Sequence, residues 1–280
     1  MLLFGASVFI GLLAPASLAA TLQRTLRLLQ ITAAALLLLS AIAWLVLETG
    51  FMGSGWEDAF KVDMVSTVLT QSDFGSVWIV HLVGVAAAFA MVWVPGQVAQ
   101  RLVAFFSAVA LASLGFIGHA AAHADVMGQL HRLNHALHLL SGGFWVGCLV
   151  PLLVCLLLLR RSEYRTDASR ALRRFSSLGH VAVALVLLTG VFNSLLIFGG
   201  LPTDLTTPYT ILLIVKIGLV TTMVGIAVFN RYVAVPRLSE GSSALRWITL
   251  GTVSEIGLGT IVIGLVSAFA TFDPMPGMDT

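Results

Sequence analysis

The run HRLNHALHLLSGGFWVGCLVPLLVCLLLLRR, residues 131–161, decides the fold. No charged side chain lies between Arg132 and Arg160. That stretch is longer than the roughly 20 apolar residues a helix needs to cross a hydrocarbon core about 30 Å thick. Working outward, seven further stretches meet the same template: about 1–20, 28–48, 76–95, 102–121, 174–199, 209–230 and 247–272. Of the 280 residues 58% are hydrophobic and only 10% charged, where soluble domains carry about 25% charge. Too little charge remains for a water-facing surface, which excludes a soluble enzyme, a nucleic-acid binder and a disordered chain. The class is all-α: a polytopic membrane bundle of about eight transmembrane helices, lying in lipid as one domain over 1–280.

The loops set the expected orientation. Twelve of the fifteen Lys and Arg occupy alternate connections: Arg24 and Arg27; Arg101; Arg160, Arg161, Arg165, Arg170, Arg173 and Arg174; Arg231, Arg237 and Arg246. The opposite connections and the C-terminal tail hold Glu48, Glu57, Asp58, Asp63, Asp73, Asp125, Asp204, Asp273 and Asp279. Positive residues stay cytoplasmic, so both termini are expected on the outer, periplasmic side. The first stretch carries Pro15 and ends in a small-residue run that has the look of a signal-peptide site, but it lacks the basic start a signal needs. The outer loop 49–75 places Trp56, Ala59, Phe60, Met64, Val65 and Val68 at helical spacing, which suits a helix on the membrane surface. No GxxxxGK[ST] nucleotide loop occurs, so an ATP-driven pump is not expected in this chain.

Chemistry gathers at one end. Five of the seven histidines fall within twenty residues: His119, His123, His131, His135 and His138. The spacings i, i+4 and i, i+4, i+7 put each set on one helix face. Counted from Arg101 and Arg160 at about 1.5 Å per residue, both sets reach the outer membrane boundary. Neutral imidazole binds copper, zinc, nickel or iron without first losing a proton at neutral pH. Two histidine faces at one depth therefore point to a metal site, against the bland reading of interfacial fillers. Met275 and Met278, on the tail 273–280, offer thioethers suited to Cu(I), or are incidental to an unstructured end. Cys148 and Cys155 lie about 10 Å apart along one helix and cannot bridge each other.

Polar groups inside spans are costly and so informative. His81 and Lys216 fall in outer halves, Asn193 near an outer end, and Glu255 about 13 Å above Arg246. Lys216 and Glu255 form a structural pair in one reading; in another Glu255 carries a proton or a cation. His180 lies on the cytoplasmic side, too far from the outer cluster to join it.

GHAAA at 118–122, ALHLLSGGFWVGCLVPL at 136–152, RRFSSLGHVAVALVLLTGVFNSLL at 173–196, LLIVKIGLV at 212–220 and FNRYVAVPRL at 229–238 together resemble the copper-resistance protein D family of bacterial inner-membrane proteins. The resemblance implies eight spans and the movement or handling of copper across the inner membrane, often beside a periplasmic copper-binding protein, with no enzyme activity. It implies that His119 and His138 are the family's motif histidines, and it puts Trp145, Asn193, Lys216 and Asn230 in motif-like places. The rival class is a b-type cytochrome with bis-histidine haem, for which His81, His119, His138 and His180 supply enough ligands.

Overall fold

The computed structural model describes residues 1–117, 126–198, 200, 206–239 and 242–269. All of the regular structure among them is helical. Helix α1 is Leu2–Leu13, α2 Ala16–Met52, α3 Val62–Gln71, α4 Asp73–Met91, α5 Gln97–Ser113, α6 Val126–Leu158, α7 Arg165–Phe198, α8 Pro208–Phe229 and α9 Ser242–Phe269. Among the described residues seven helices are long and apolar enough to cross a membrane.

The expected eighth span is corrected. Residues 1–20 do not form one helix: α1 stops at Leu13, Ala14 is extended at φ −73° and ψ 136°, and α2 starts after Pro15. Proline disfavours helical geometry in the residue before it, so an apolar run that looks continuous is cut in two. At 1.5 Å per residue α1 is about 18 Å long, too short to cross the core alone. Its last turn, Phe9–Leu13, is π-helical. The carbonyls loosened there are taken up by α5: Gln97 Nε2 donates to Ile10 O and Ala14 O, and Arg101 Nε donates to Gly11 O. In the outer loop helix α3 covers only Val62–Gln71, with Val68 buried, while Trp56 and Phe60 lie in the turns before it and are exposed.

The chain forms two compact units, Met1–Pro151 and Leu152–Thr280. In the first, small residues let backbones meet, the packing mode that serves where lipid removes the hydrophobic drive between helices. A Cβ on Gly5 would lie 2.3 Å from the carbonyl carbon of Gly147, and one on Gly115 would lie 2.6 Å from Ala136 N. Gly143 and Gly147, four apart on α6, form a contact face: Gly147 meets α1, and Gly143 meets Leu111 of α5. Between α1, α2 and α5 sits a buried polar triad, in which Gln30 Nε2 donates to Ser7 Oγ at 3.0 Å and to Gln100 Oε1 at 2.7 Å. In the second unit α8 and α9 pack against each other, and α8 runs into a π-helical turn, Asn230–Ala234, closed by Val235 N donating to Asn230 O.

Candidate functional site

The site is built around the last turns of α5. On one side His81 projects from α4, eight residues and so about 12 Å from its Asp73 end. His81 is 3% exposed, and its Nδ1 lies 3.0 Å from both Ala110 O and Ser113 Oγ. A backbone carbonyl only accepts, so Nδ1 carries the hydrogen and donates. Ser113 Oγ donates to the same carbonyl at 2.8 Å, which closes a small ring of bonds. The lone pair therefore resides on Nε2. A donated Nδ1–H that fixes the tautomer and ring angle is the arrangement typical of metal-ligating histidines. The ring is also held by stacking: Trp78 lies against it at 4.4 Å and 16°, Phe74 stacks on Trp78, and Trp78 Nε1 donates to Ala41 O.

On the other side α5 packs on α6. Gly115 approaches the backbone of Ala136, which lies between His135 and His138. His131 is 8% exposed, while His135 and His138 are half-buried. The continuous helix confirms the i, i+4, i+7 face drawn from sequence. His81 thus meets α5 at Ala110 and Ser113, whereas Gly115, just beyond α5, meets α6 at Ala136, about 130° round that helix from the face of His131, His135 and His138. Among the described residues no three His, Cys, Asp or Glu side chains converge closely enough to hold a metal ion. The expected contributions of His119, His123, Met275 and Met278 lie outside the described residues.

The other sequence candidates are placed as follows. Trp145 is buried on α6, and Cys148 Sγ donates to Gly5 O at 3.2 Å, an architectural thiol at the α1 contact. Asn193 is buried on α7. His180 is exposed, its Nδ1 donating to Ser176 O, with Tyr232 edge-on at 5.6 Å. Glu255 is 4% exposed, and its carboxylate accepts a 3.4 Å bond from Asn230 Nδ2. Lys216 lies fourteen residues before Asn230, about 21 Å along α8.

Sequence reasoning missed the Ser7–Gln30–Gln100 triad, because a search for ionisable groups passes over glutamine. Its signal was available: two glutamines within or at the ends of apolar helices. The outer loop carries its own clasp. Asp58 accepts from Ser54 N at 2.8 Å and from Lys61 Nζ at 2.6 Å. These bonds, Lys61 first, hold the Asp58 carboxyl below its usual range, and Asp58 in turn raises the Lys61 amine.

Residues 1–129 match the family described as Copper resistance protein D-like, N-terminal domain, and residues 169–269 match Copper resistance protein D. The chain is 37% identical over 275 residues to the inner membrane protein YebZ of Escherichia coli K12, covering 98% of this chain and 94% of that protein. It is 32% identical over 263 residues to copper resistance protein D of Pseudomonas syringae pv. tomato, covering 88% and 83%. A 27% identity over 266 residues links it to the copper transport protein CutJ of Bacillus subtilis, of which it spans 47%. No solved structure matches.

Proposed function

Because the chain belongs to the copper-resistance protein D family, a family of multi-spanning membrane proteins, we propose that it transports copper inward across the bacterial inner membrane. Copper enters at an outer histidine face and passes toward the membrane interior by way of His81. One observation carries the reading: a buried imidazole whose Nδ1–H is committed to Ala110 O and Ser113 Oγ presents Nε2 as a ligand inside the first unit.

The chemistry required of these residues is modest. Imidazoles at the rim replace the water around the ion one at a time, so that no bare cation enters the low-dielectric interior. His131, His135 and His138 form the described part of the capture face. His119 and His123, which follow Phe116 closely in sequence, complete it. The tail methionines Met275 and Met278 assist with thioethers, and a soluble copper-binding protein of the outer compartment is the source. Asn193, Lys216, Asn230 and Glu255 line the inward route, and both chain termini face outward, as the alternation of basic and acidic loops supports.

Metal analysis of purified protein tests this. Wild type binds copper, and His119→Ala with His138→Ala loses it while remaining folded. Equal copper in both samples refutes the site. A strong Soret band in the purified protein would instead favour the haem reading.

A further inference from the structure

The second unit holds a buried acid that capture of copper at the rim does not use. Glu255 sits inside α9 with 4% exposure, and the 9% exposed Asn230 faces it from the start of the π-helical turn. Asn230 Nδ2 donates to Glu255 Oε2 at a long 3.4 Å. Its Oδ1 is buried and has no hydrogen-bond partner. A buried acceptor left unmet is expensive and calls for a donor that the present protonation state does not supply. Beside the amide stands Gly251: a Cβ there would lie 2.5 Å from Nδ2 and 2.6 Å from Oδ1. The glycine thus keeps the space in which the amide turns free of side chain. π-helical turns inside α-helices are frequent at functional sites.

These features fit together. With Glu255 ionised, Nδ2 donates to the carboxylate, as observed. With Glu255 protonated, a half-turn of the amide presents Oδ1 to the carboxyl O–H, and Nδ2 takes the position that Oδ1 held, so the acid keeps an amide partner in either state. Asparagine is suited to this because it carries a donor and an acceptor on one flat group. We propose that Glu255 is a proton-binding site, with Asn230 as the positioning residue that meets either protonation state, and that this proton drives or accompanies copper movement. The last clause rests on the copper-transport reading; the proton site itself does not. The exchange is Glu–COOH to Glu–COO⁻ plus a proton, released to water and regained from it, with no co-reactant.

The charged and titratable groups on the elements packed against α9 are Tyr209 and Lys216 on α8, Arg231 and Tyr232 on the π turn, and Arg237 just beyond it. Arg231 donates to Ser176 Oγ of α7, and Arg237 to Val233 O. With α8 and α9 antiparallel and Asn230 opposite Gly251, Lys216 lies about 15 Å further along the pair than Glu255. Arg246, on α9 itself, is nine residues away, about 13 Å.

Two measurements test the proposal. Infrared difference spectra across a pH step on the full-length protein read the carboxylic C=O stretch. Wild type shows a band that Glu255→Gln removes and Asn230→Leu shifts; Glu255→Asp keeps a moved band should the glutamine variant fold poorly. A wild-type spectrum that neither Glu255 variant alters overturns the site, whatever the protein does with copper. In proteoliposomes loaded with a copper chelator, a pH gradient accelerates wild-type uptake severalfold, and Glu255→Gln retains only uptake down the copper gradient. Equal acceleration in both overturns the coupling. Absence of any copper uptake by wild type refutes the transport reading, and the infrared band still decides the proton site.

Discussion

Replacing His81 with asparagine separates what the ring does for the fold from what it does for the ion. The asparagine amide N–H falls close to where the imidazole Nδ1–H was, so the bonds to Ala110 O and Ser113 Oγ are retained. The Nε2 lone pair has no counterpart. The structural loss is the 4.4 Å stack on Trp78, worth about 0.5–1.5 kcal/mol, together with part of the ring's buried volume. A total of about 2 kcal/mol leaves the protein folded and lowers its melting point in detergent by a few degrees. The functional loss is larger. Removing a partner that merely orients a ligating histidine costs roughly 10–100-fold in metal affinity, and removing the ligating nitrogen costs no less. Copper uptake into proteoliposomes therefore falls at least about tenfold. Ser113→Ala, which leaves Ala110 O as the only acceptor for Nδ1, falls between the two. Uptake by His81→Asn at the wild-type rate, with the protein intact, would refute the assignment of Nε2 as a ligand.

Further perturbations give distinct outcomes. Gly5→Ala puts a Cβ 2.3 Å from the Gly147 carbonyl carbon, so α1 and α6 must separate by about 1 Å; overpacking of this kind costs roughly 1–3 kcal/mol, read as a lower melting point with unchanged copper stoichiometry. Gln30→Leu breaks both bonds of the buried triad and strands Ser7 and Gln100. At about 0.6–1.7 kcal/mol per interhelical bond, it destabilises the first unit, as hydrogen exchange in α2 will show. The Asp58 clasp has a definite pH sense. Its acid is depressed, so its contribution is present above the ordinary carboxylate range and lost as pH falls through the lowered value. The raised Lys61 amine keeps its side of the clasp until pH rises through the raised value. Trp56 fluorescence, compared between wild type and Asp58→Asn, should be flat across neutral pH in wild type and change in acid, and again where pH rises through the raised Lys61 value.

Hydropathy alone located the seven spanning helices of the described residues, because a bilayer constrains helix length so tightly. The one span that failed did so for a local reason. Leu2 to Ala20 is a single apolar run to any averaging window, and only the backbone conflict at Ala14–Pro15 divides it. The histidine face of α6 followed from spacing alone, whereas the role of His81 did not. Its tautomer is set by Ala110 and Ser113, about 30 positions away in sequence, which no local pattern reports. Glu255 shows the same limit. Charge complementarity drew attention to Lys216, and the antiparallel register of α8 and α9 brings an uncharged amide, Asn230, against the acid.

Helix α2 is longer than a single crossing needs. Its 37 residues make a rod about 56 Å long, nearly twice the thickness of the hydrocarbon it crosses, and no ordinary tilt hides the surplus. The twelve residues Ala16–Arg27 overhang the uncharged stretch, and there Gln23 grips the turn before α5 through Val94 O and Gly96 N. At its far end the same unbroken rod runs into the turn clasped by Asp58. A push on one face is therefore a displacement on the other, as with a lever arm that has no joint in its length.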